Sequence, residues 1–277
     1  MSELNFLEKV NLSASYISDI VRDDIDIALV LGSGLGELAN DIENPIIIDY
    51  KDIPYFPHST APGHYGRLVI GYLGDKKVVC MQGRFHYYEG YDTKTICYPI
   101  FVFNQLNIKK LILTNASGCL NADWNVGDLM IIEDQIKLIG DNPLRGENFD
   151  ELGQRFFDMS KTYSPKMIQL AKDCANEIDL PIRNGVYMFA SGPSFETAAE
   201  VRMQKILGAD ATGMSTVFEA IAASYFDMEL LGISCLTNMA TGISKTILDQ
   251  QEVIDAGKKV KPQFIKLLKK IINKWEK

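Results

Sequence analysis

The chain has 277 residues, of which 47% are hydrophobic and 23% charged, a composition typical of globular proteins. Its formal net charge of −8 argues against nucleic acid as a partner, because that affinity comes mainly from clustered Lys and Arg. No apolar run reaches the roughly 20 residues needed to cross a bilayer, and the first residues, MSELNFLEKV, lack the apolar segment of a secretory signal. We therefore expect a cytoplasmic protein that binds neither nucleic acid nor a membrane.

Apolar runs rich in branched residues alternate with longer helical patterns along the chain. The strand patterns cover residues 27–32, 45–49, 67–73, 77–83, 110–116, 128–138, 185–190 and 230–238. The helical patterns cover residues 4–22, 95–107, 163–177, 197–207, 216–227 and 250–275. Gly74 and Asp75 form a two-residue hairpin signal, so the sheet is not purely parallel. The sequence predicts an α/β fold: one domain over residues 1–277, with a central mixed β-sheet flanked by helices.

Six polar segments stand at the ends of predicted strands: VLGSGLG, MQGRFHYYEGY, LTNASGCLN, ASGPSFET, ATGMSTVFEA and CLTNMATG. In α/β sheets, ligands bind outside the carboxyl ends of the strands. We therefore expect these six segments to converge on one large site. The long polar stretch 139–156 is predicted to be a functional or interface loop.

The cysteines and histidines give no sign of a metal site. The five cysteines are scattered without a CxxC pair, which favours buried, reduced thiols. The three histidines, His58, His64 and His86, lack the HxxxH or HExxH spacing of zinc ligands. We expect neither a metal nor a cofactor.

The first polar segment predicts an anion site. Gly32, Ser33, Gly34 and Gly36 end an apolar strand, where glycines allow a sharp turn and a close approach to a ligand. The dinucleotide pattern G-x-G-x-x-G fails, because Glu37 stands where its last glycine belongs. A phosphate cradle without a dinucleotide is the better interpretation.

Arg84 and His86 are two residues apart and therefore face the same side of an extended backbone. An arginine fork matches phosphate bidentately, and the histidine adds a donor. The alternative is a structural Arg–carboxylate pair beside a half-buried histidine. Tyr88 continues the same face and is placed to stack on a sugar. Glu89 lies on the opposite face, from which it would brace Arg84 or His64.

Local capping patterns separate the glutamates of two later segments. Thr197 and Glu200 have the spacing of a capping box, so Glu196, which precedes the box, is left free to face the site. The Thr216-x-x-Glu219 spacing predicts in the same way that Glu219 caps a helix.

Four further side chains stand at strand ends. Ser215, just ahead of a predicted helix, offers a hydroxyl suited to an anion. Phe195 is either a core residue or a ring that stacks on a flat ligand, and Asn238 either caps its own turn or pairs with a heterocycle. Cys119 has no base placed near it by any motif, so a small buried residue is favoured over a nucleophile.

Eight segments together closely resemble the trimeric purine nucleoside phosphorylases, in order, over about residues 25–260: GSGLG, PGHYG, QGRFHYYEGY, LTNASG, GDNPLRG, GPSFETAAE, GADATGMSTVFE and LTNMATG. The resemblance implies a mixed-sheet α/β fold and a homotrimer. It also implies phosphorolysis of 6-oxopurine nucleosides such as inosine and guanosine to free base and ribose 1-phosphate, with inorganic phosphate as co-substrate.

The resemblance further implies a role for each of several residues. Phosphate is expected at Ser33, His64, Arg84, His86, Ser215 and the Ala116 backbone N–H. The ribose is expected at Tyr88, Met214, Gln250 and, from a neighbouring subunit, Phe156. The base is expected at Ala116, Ser117, Gly118, Phe195, Glu196 and Asn238. The expected catalytic residues are His86, Glu196 and Asn238.

Three positions depart from the family's pattern. Cys119 replaces another small residue, Phe218 replaces a common proline, and Gln250 stands where the family has a histidine near the 5′-hydroxyl. Two other functions remain open. A methylthioadenosine phosphorylase of the same superfamily is disfavoured by Glu196 and Asn238, and a non-catalytic nucleoside-binding protein would need no phosphate residues.

Overall fold

The computed structural model describes residues 4–32, 34–61, 63–243 and 250–276, with the side chains of 250–254 outside the description. Within these ranges nine strands form one mixed sheet. They are β1 (Ile27–Val30), β2 (Glu43–Asp49), β3 (Arg67–Leu73), β4 (Lys76–Gln82), β5 (Lys110–Cys119), β6 (Leu129–Ile136), β7 (Ile182–Phe189), β8 (Ala211–Gly213) and β9 (Glu229–Met239).

The α-helices of the described ranges are α1 (Phe6–Val21), α2 (Thr93–Ile96), α3 (Tyr98–Gln105), α4 (Pro165–Asn176), α5 (Ala198–Ile206), α6 (Val217–Tyr225) and α7 (Gln250–Lys274). Short 3-10 helices cover Gly36–Asp41, Tyr50–Asp52 and Tyr87–Glu89. In this part of the chain, none of the helices combines the length and the apolar character needed to span a membrane.

The strands follow the order β2-β3-β4-β1-β5-β8-β7-β6-β9, and β9 also pairs with β5. Strands β5, β8, β7, β6 and β9 therefore form a closed ring, from which β1, β4, β3 and β2 extend as an open sheet. Parallel pairs such as β5–β9 stand beside antiparallel pairs such as β3–β4. The predicted α/β fold with a mixed sheet is confirmed.

Strand β1 illustrates how the sheet is covered on both faces. Ala28 and Val30 pack in one core cluster with residues of α1, α3 and α6, whereas Ile27 and Leu29 pack in a second cluster with α4 and α7. Successive side chains of a strand point to opposite faces. A continuous apolar run is therefore expected where helices cover a sheet on both sides.

The number of α-helices and strands differs from the sequence prediction at two places. The helical pattern 95–107 forms two helices, α2 and α3, interrupted at Cys97. Pro99 has no N–H to donate to the carbonyl four residues earlier, which accounts for the break. Strand β8 was not predicted, because its three residues are too few to show an alternating pattern.

Candidate active site

All six predicted segments border one cavity of about 380 Å³, so their expected convergence is confirmed. The predicted site residues that line it are Arg84, His86, Tyr88, Ala116, Ser117, Gly118, Phe195, Glu196, Met214, Ser215 and Asn238. The cavity lies against the end of β1 and the closed ring of strands, whose ends supply most of its wall.

Gly32 brings the end of β1 against β5 at this cavity. A side chain here would place a Cβ 2.6 Å from Asn115 Cα, so only glycine fits. The Gly32 N–H donates to Thr114 Oγ1 at 2.9 Å. Ser33 lies outside the described residues, and the chain continues from Gly36 as a short 3-10 helix.

Arg84 is buried at the cavity, with 1% of its surface exposed. Its Nε donates to Glu219 Oε1 at 2.9 Å, and its Nη1 donates to the Thr114 carbonyl at 2.5 Å and to Ser215 Oγ at 3.3 Å. Its Nη2 is also buried and finds no hydrogen-bond partner among the described residues. Because an unpaired buried donor is costly, this nitrogen marks a place suited to an anion.

Glu219 is the buried partner of Arg84, and the prediction that it caps a helix is wrong. Thr216 has a left-handed backbone (φ 73°) and makes no side-chain capping bond. Its hydroxyl instead accepts from Asn115 Nδ2 at 2.9 Å. Glu219 is thereby free to pair with Arg84, and neither side chain is more than 5% exposed. The Arg–carboxylate pair considered from the sequence exists, and Arg84 borders the cavity as well.

Glu89 binds His86, and the prediction that it braces Arg84 or His64 is wrong. Its Oε1 accepts from the His86 backbone N–H at 2.8 Å and lies 2.9 Å from His86 Nδ1. Its Oε2 accepts from the backbone N–H and the hydroxyl of Thr60. Burial alone raises the pKa of Glu89, but the hydrogen bonds from His86 and Thr60 lower it to about 2. The 3-10 turn that follows His86 carries this carboxylate back to the imidazole.

Three rings form a stack beside the cavity. The centroid of His86 lies 5.1 Å from that of His64 and 4.7 Å from that of Tyr88. His64 Nδ1 lies 3.0 Å from the Arg84 carbonyl oxygen, and its buried Nε2 has no partner in the described part of the chain. Burial, followed by the nearby His86, lowers the pKa of His64 to about 4. His64 therefore packs behind His86, and His86 is the ring of this pair that lines the cavity.

Glu196 and Asn238 border the cavity together. Glu196 Oε1 accepts from Thr212 Oγ1 at 3.2 Å, which leaves the carboxylate able to accept further hydrogen bonds. Asn238 donates to the Met239 carbonyl at 3.3 Å and accepts from Thr237 Oγ1 at 3.2 Å. Asn238 thus holds its own turn, as one of the two interpretations expects, and it also borders the cavity.

Other polar and aromatic groups complete the wall of the cavity. Phe195 is 44% exposed, which makes it a rim residue rather than a core residue. Asn115 Oδ1 and Ser117 Oγ are buried without partners in the described ranges. A Cβ on Gly118 would lie 3.3 Å from Asn238 Nδ2, so glycine leaves room beside the amide.

Three other residues singled out in the sequence, Phe156, Cys119 and Phe218, are not among those that line the cavity. Phe156 is 87% exposed and ends the stretch 139–156, which contains neither α-helix nor β-strand. Gln250 begins α7, but its side chain is outside the described residues. Cys119 is buried, and burial raises the pKa of its thiol to about 11. Phe218 packs in the core, with its ring centroid 4.7 Å from that of Phe189.

The sequence does not reveal the groups that hold the cavity residues in place. Glu219 meets Arg84 across 135 positions of the chain, and Thr114 meets Gly32 across 82. Contacts at such separations leave no local pattern.

Within the described ranges, no three His, Cys, Asp or Glu side chains gather as a metal site requires.

The comparisons with known proteins agree with this geometry. A family model described as the phosphorylase superfamily matches residues 26–273. The chain is 49% identical to purine nucleoside phosphorylase 1 of Geobacillus stearothermophilus, over 97% of this chain and 98% of that protein. It is 46% identical to purine nucleoside phosphorylase 1 of Bacillus subtilis (strain 168), over 97% and 99%. The crystal structure of a schistosoma purine nucleoside phosphorylase in complex with hypoxanthine matches with a TM-score of 0.93 at 35% identity, covering 99% of this chain and 100% of that chain. The chain therefore belongs to the purine nucleoside phosphorylase family of the phosphorylase superfamily.

Proposed function

We propose that this chain cleaves purine nucleosides with inorganic phosphate, and that its substrates are inosine, guanosine and their 2′-deoxy forms. The products are the free 6-oxopurine and ribose or deoxyribose 1-phosphate, which makes the enzyme a glycosyltransferase of purine salvage. Phosphate is a co-substrate, and no metal or other cofactor takes part. Membership of the family supports the phosphorolysis, and the site supports the choice of base.

The observation that carries the proposal is the buried Arg84 Nη2, which has no partner among the described residues. Ser215 and His86 border the same cavity, so a hydroxyl, an imidazole and a guanidinium are available to one anion. A planar arginine fork binds phosphate bidentately. The proposed phosphate site consists of Ser33, His64, Arg84, His86, Ser215 and the Ala116 backbone N–H.

Phosphate itself acts as the nucleophile in this reaction. One of its oxygens bonds to C1′ of the ribose while the glycosidic C–N bond breaks, and the electron pair of that bond leaves with the purine. The enzyme has to position phosphate against C1′ and to stabilise the charge that builds on the base. No enzyme nucleophile is required, and the Cys119 thiol, whose pKa burial raises to about 11, stays protonated near neutral pH.

Glu196 and Asn238 are the proposed catalytic contacts to the base. The Asn238 amide donates to N7 and thereby takes up charge on the departing purine. The Glu196 carboxylate accepts from N1–H, a group that 6-oxopurines carry and adenine lacks. With adenosine the carboxylate would lose this donor, which costs binding free energy. The remaining residues proposed for the base are Ala116, Ser117, Gly118 and Phe195.

The ribose is proposed to contact Tyr88, Met214, Gln250 and, from a neighbouring subunit, Phe156. Phe156 supports a homotrimer, because 87% of this aromatic residue is exposed at the end of a long irregular loop. Such a ring is better placed to complete a neighbour's site than its own.

The five cysteines are free and buried, which supports the reducing cytoplasm as the compartment.

A nucleoside panel with and without phosphate tests the proposal. We expect inosine and guanosine to be cleaved only when phosphate or arsenate is present. Adenosine has to be included, because a Schistosoma mansoni purine nucleoside phosphorylase 36% identical to this chain was solved in complex with adenosine. Equal cleavage without phosphate would contradict phosphorolysis. Preference for 5′-methylthioadenosine would favour the other phosphorylase activity, and binding without cleavage would favour a nucleoside-binding protein.

A further inference from the structure

Glu219 is a buried carboxylate that the proposed reaction does not use directly. It lies in the first turn of α6, whose N-terminal cap, Thr216, directly follows Ser215. Its side chain is 5% exposed and lies 2.9 Å from Arg84 Nε. Helix α6 therefore carries the carboxylate that contacts Arg84. The same helix begins just after Ser215, whose hydroxyl belongs to the proposed phosphate site.

Two acceptors from different elements fix the Arg84 guanidinium. Glu219, on α6, accepts from Nε at 2.9 Å, and the Thr114 carbonyl, on β5, accepts from Nη1 at 2.5 Å. Because the guanidinium is planar, fixing two of its nitrogens also fixes the direction of the third. The nitrogen left for a ligand is Nη2, which has no partner among the described residues.

The carboxylate has two opposing effects on an anion. It holds the arginine in one orientation, so that phosphate does not have to order a long, flexible side chain when it binds. It also places a negative charge near the phosphate, which weakens the attraction. Glutamine separates the two effects, because it keeps an oxygen that accepts from Nε and removes the charge.

We propose that Glu219 is a positioning residue for phosphate, which holds the Arg84 guanidinium in the orientation that the anion requires. This inference rests on the proposed phosphorolysis and gives Glu219 a role in the binding of phosphate. It concerns phosphate alone, and the base contacts at Glu196 and Asn238 are unaffected by it.

The test compares Glu219→Ala and Glu219→Gln with a matched control, Glu200→Ala. Glu200 is also a glutamate in the first turn of a helix, but its partner is the cap residue Thr197. The dissociation constant of inorganic phosphate is measured by calorimetry on the free enzyme, and that of hypoxanthine in parallel. The KM values for phosphate and inosine and the melting temperature complete the set.

We expect Glu219→Ala to weaken phosphate binding about tenfold or more, as loss of a charge-assisted contact would, with hypoxanthine binding nearly unchanged. Glu219→Gln should lie much closer to the parent enzyme, and Glu200→Ala should bind phosphate normally. Unchanged phosphate binding in Glu219→Ala, or an equal loss of phosphate and hypoxanthine, would overturn the inference.

Glu219→Asp keeps the test decisive if the alanine variant does not fold. Aspartate retains the charge but is one methylene shorter, so it should hold Arg84 Nε less well than glutamine does. A larger loss of phosphate binding in Glu219→Asp than in Glu219→Gln supports positioning, and the reverse order overturns it. Failure of the parent enzyme to cleave inosine with phosphate would instead contradict the proposed function, whatever the variants show.

Discussion

The rings of His86 and Tyr88 are stacked, with centroids 4.7 Å apart and planes that differ by 16°. A proposed phosphate ligand and a proposed ribose contact therefore form one packed unit. Burial in particular raises the pKa of Tyr88 to about 12, so its hydroxyl remains protonated at neutral pH and can donate a hydrogen bond. The ring and the hydroxyl of Tyr88 thus have separable roles.

Two substitutions of Tyr88 should distinguish these roles. Tyr88→Phe keeps the stack on His86 and removes the hydroxyl, so we expect KM for inosine to rise about threefold to tenfold, as for a neutral hydrogen bond, with KM for phosphate unchanged. Tyr88→Leu removes the stack as well and should raise both KM values. Steady-state kinetics with each substrate varied in turn measures this. A normal phosphate KM in Tyr88→Leu would show that the stack does not support His86.

Glu196 and Asn238 should be the most sensitive residues at the base. Replacing either with alanine should cost about 2–4 kcal/mol of transition-state stabilisation, as for a preorganised donor or acceptor. The measurement is kcat/KM for inosine. Glu200→Ala is the control: its capping box with Thr197 is present, so it should cost about 1 kcal/mol of stability with activity nearly intact. If Glu200 proved the catalytically sensitive residue, the assignment of the two glutamates would be reversed.

Phe156 should act on a neighbouring subunit. We expect the enzyme to sediment as a trimer, and Phe156→Ala to raise KM for inosine about tenfold through the loss of buried aromatic surface. Mixing Phe156→Ala with Glu196→Ala under conditions that exchange subunits should restore activity. In a hybrid trimer, the intact Glu196 of one subunit can share a site with the intact Phe156 of its neighbour. A fully active monomer, or no complementation in confirmed hybrids, would contradict this arrangement.

His64 should make stability depend on pH in the acidic range. Burial, followed by the nearby His86, lowers its pKa from 6.5 to about 4, so the unfolded state binds a proton at higher pH than the folded state. The free energy of unfolding is therefore unaffected by His64 above about pH 6.5, and it decreases as the pH falls from about 6.5 towards about 4. Urea midpoints over this range should fall less steeply for His64→Gln than for the parent. His58→Gln, at an exposed histidine, is the matched control and should keep the parent slope.

The sequence was informative where the interactions that determine a structure are local. Strand β3 lies at its predicted bounds, and the hairpin turn at Gly74 and Asp75 joins it to β4 as expected. The capping box of Thr197 and Glu200 is also present. In each case the determining contacts lie within a few residues, so the pattern can be recognised in a short window.

Local patterns mislead where a distant partner competes with a nearby one. Thr216 and Glu219 have the spacing of a capping pair, but the left-handed backbone of Thr216 and the bond from Asn115 prevent the cap. Glu219 then pairs with Arg84, and Glu89 turns back to His86. Spacing alone does not reveal which of two chemically reasonable partners a carboxylate will have.

The closed ring of β5, β8, β7, β6 and β9 has a consequence for how the cavity moves. A strand in such a ring has neighbours on both sides and no free edge from which to fray. Residues 111–113 of β5 pair with β1 on one side and with β9 on the other, just before the cavity-lining residues 115–118. The amides of residues 111–113 should therefore exchange with deuterium only when this part of the sheet opens as a cooperative unit. Their slow exchange would mean that substrates enter past a wall that stays rigid, and that any motion needed for entry belongs to segments outside the ring.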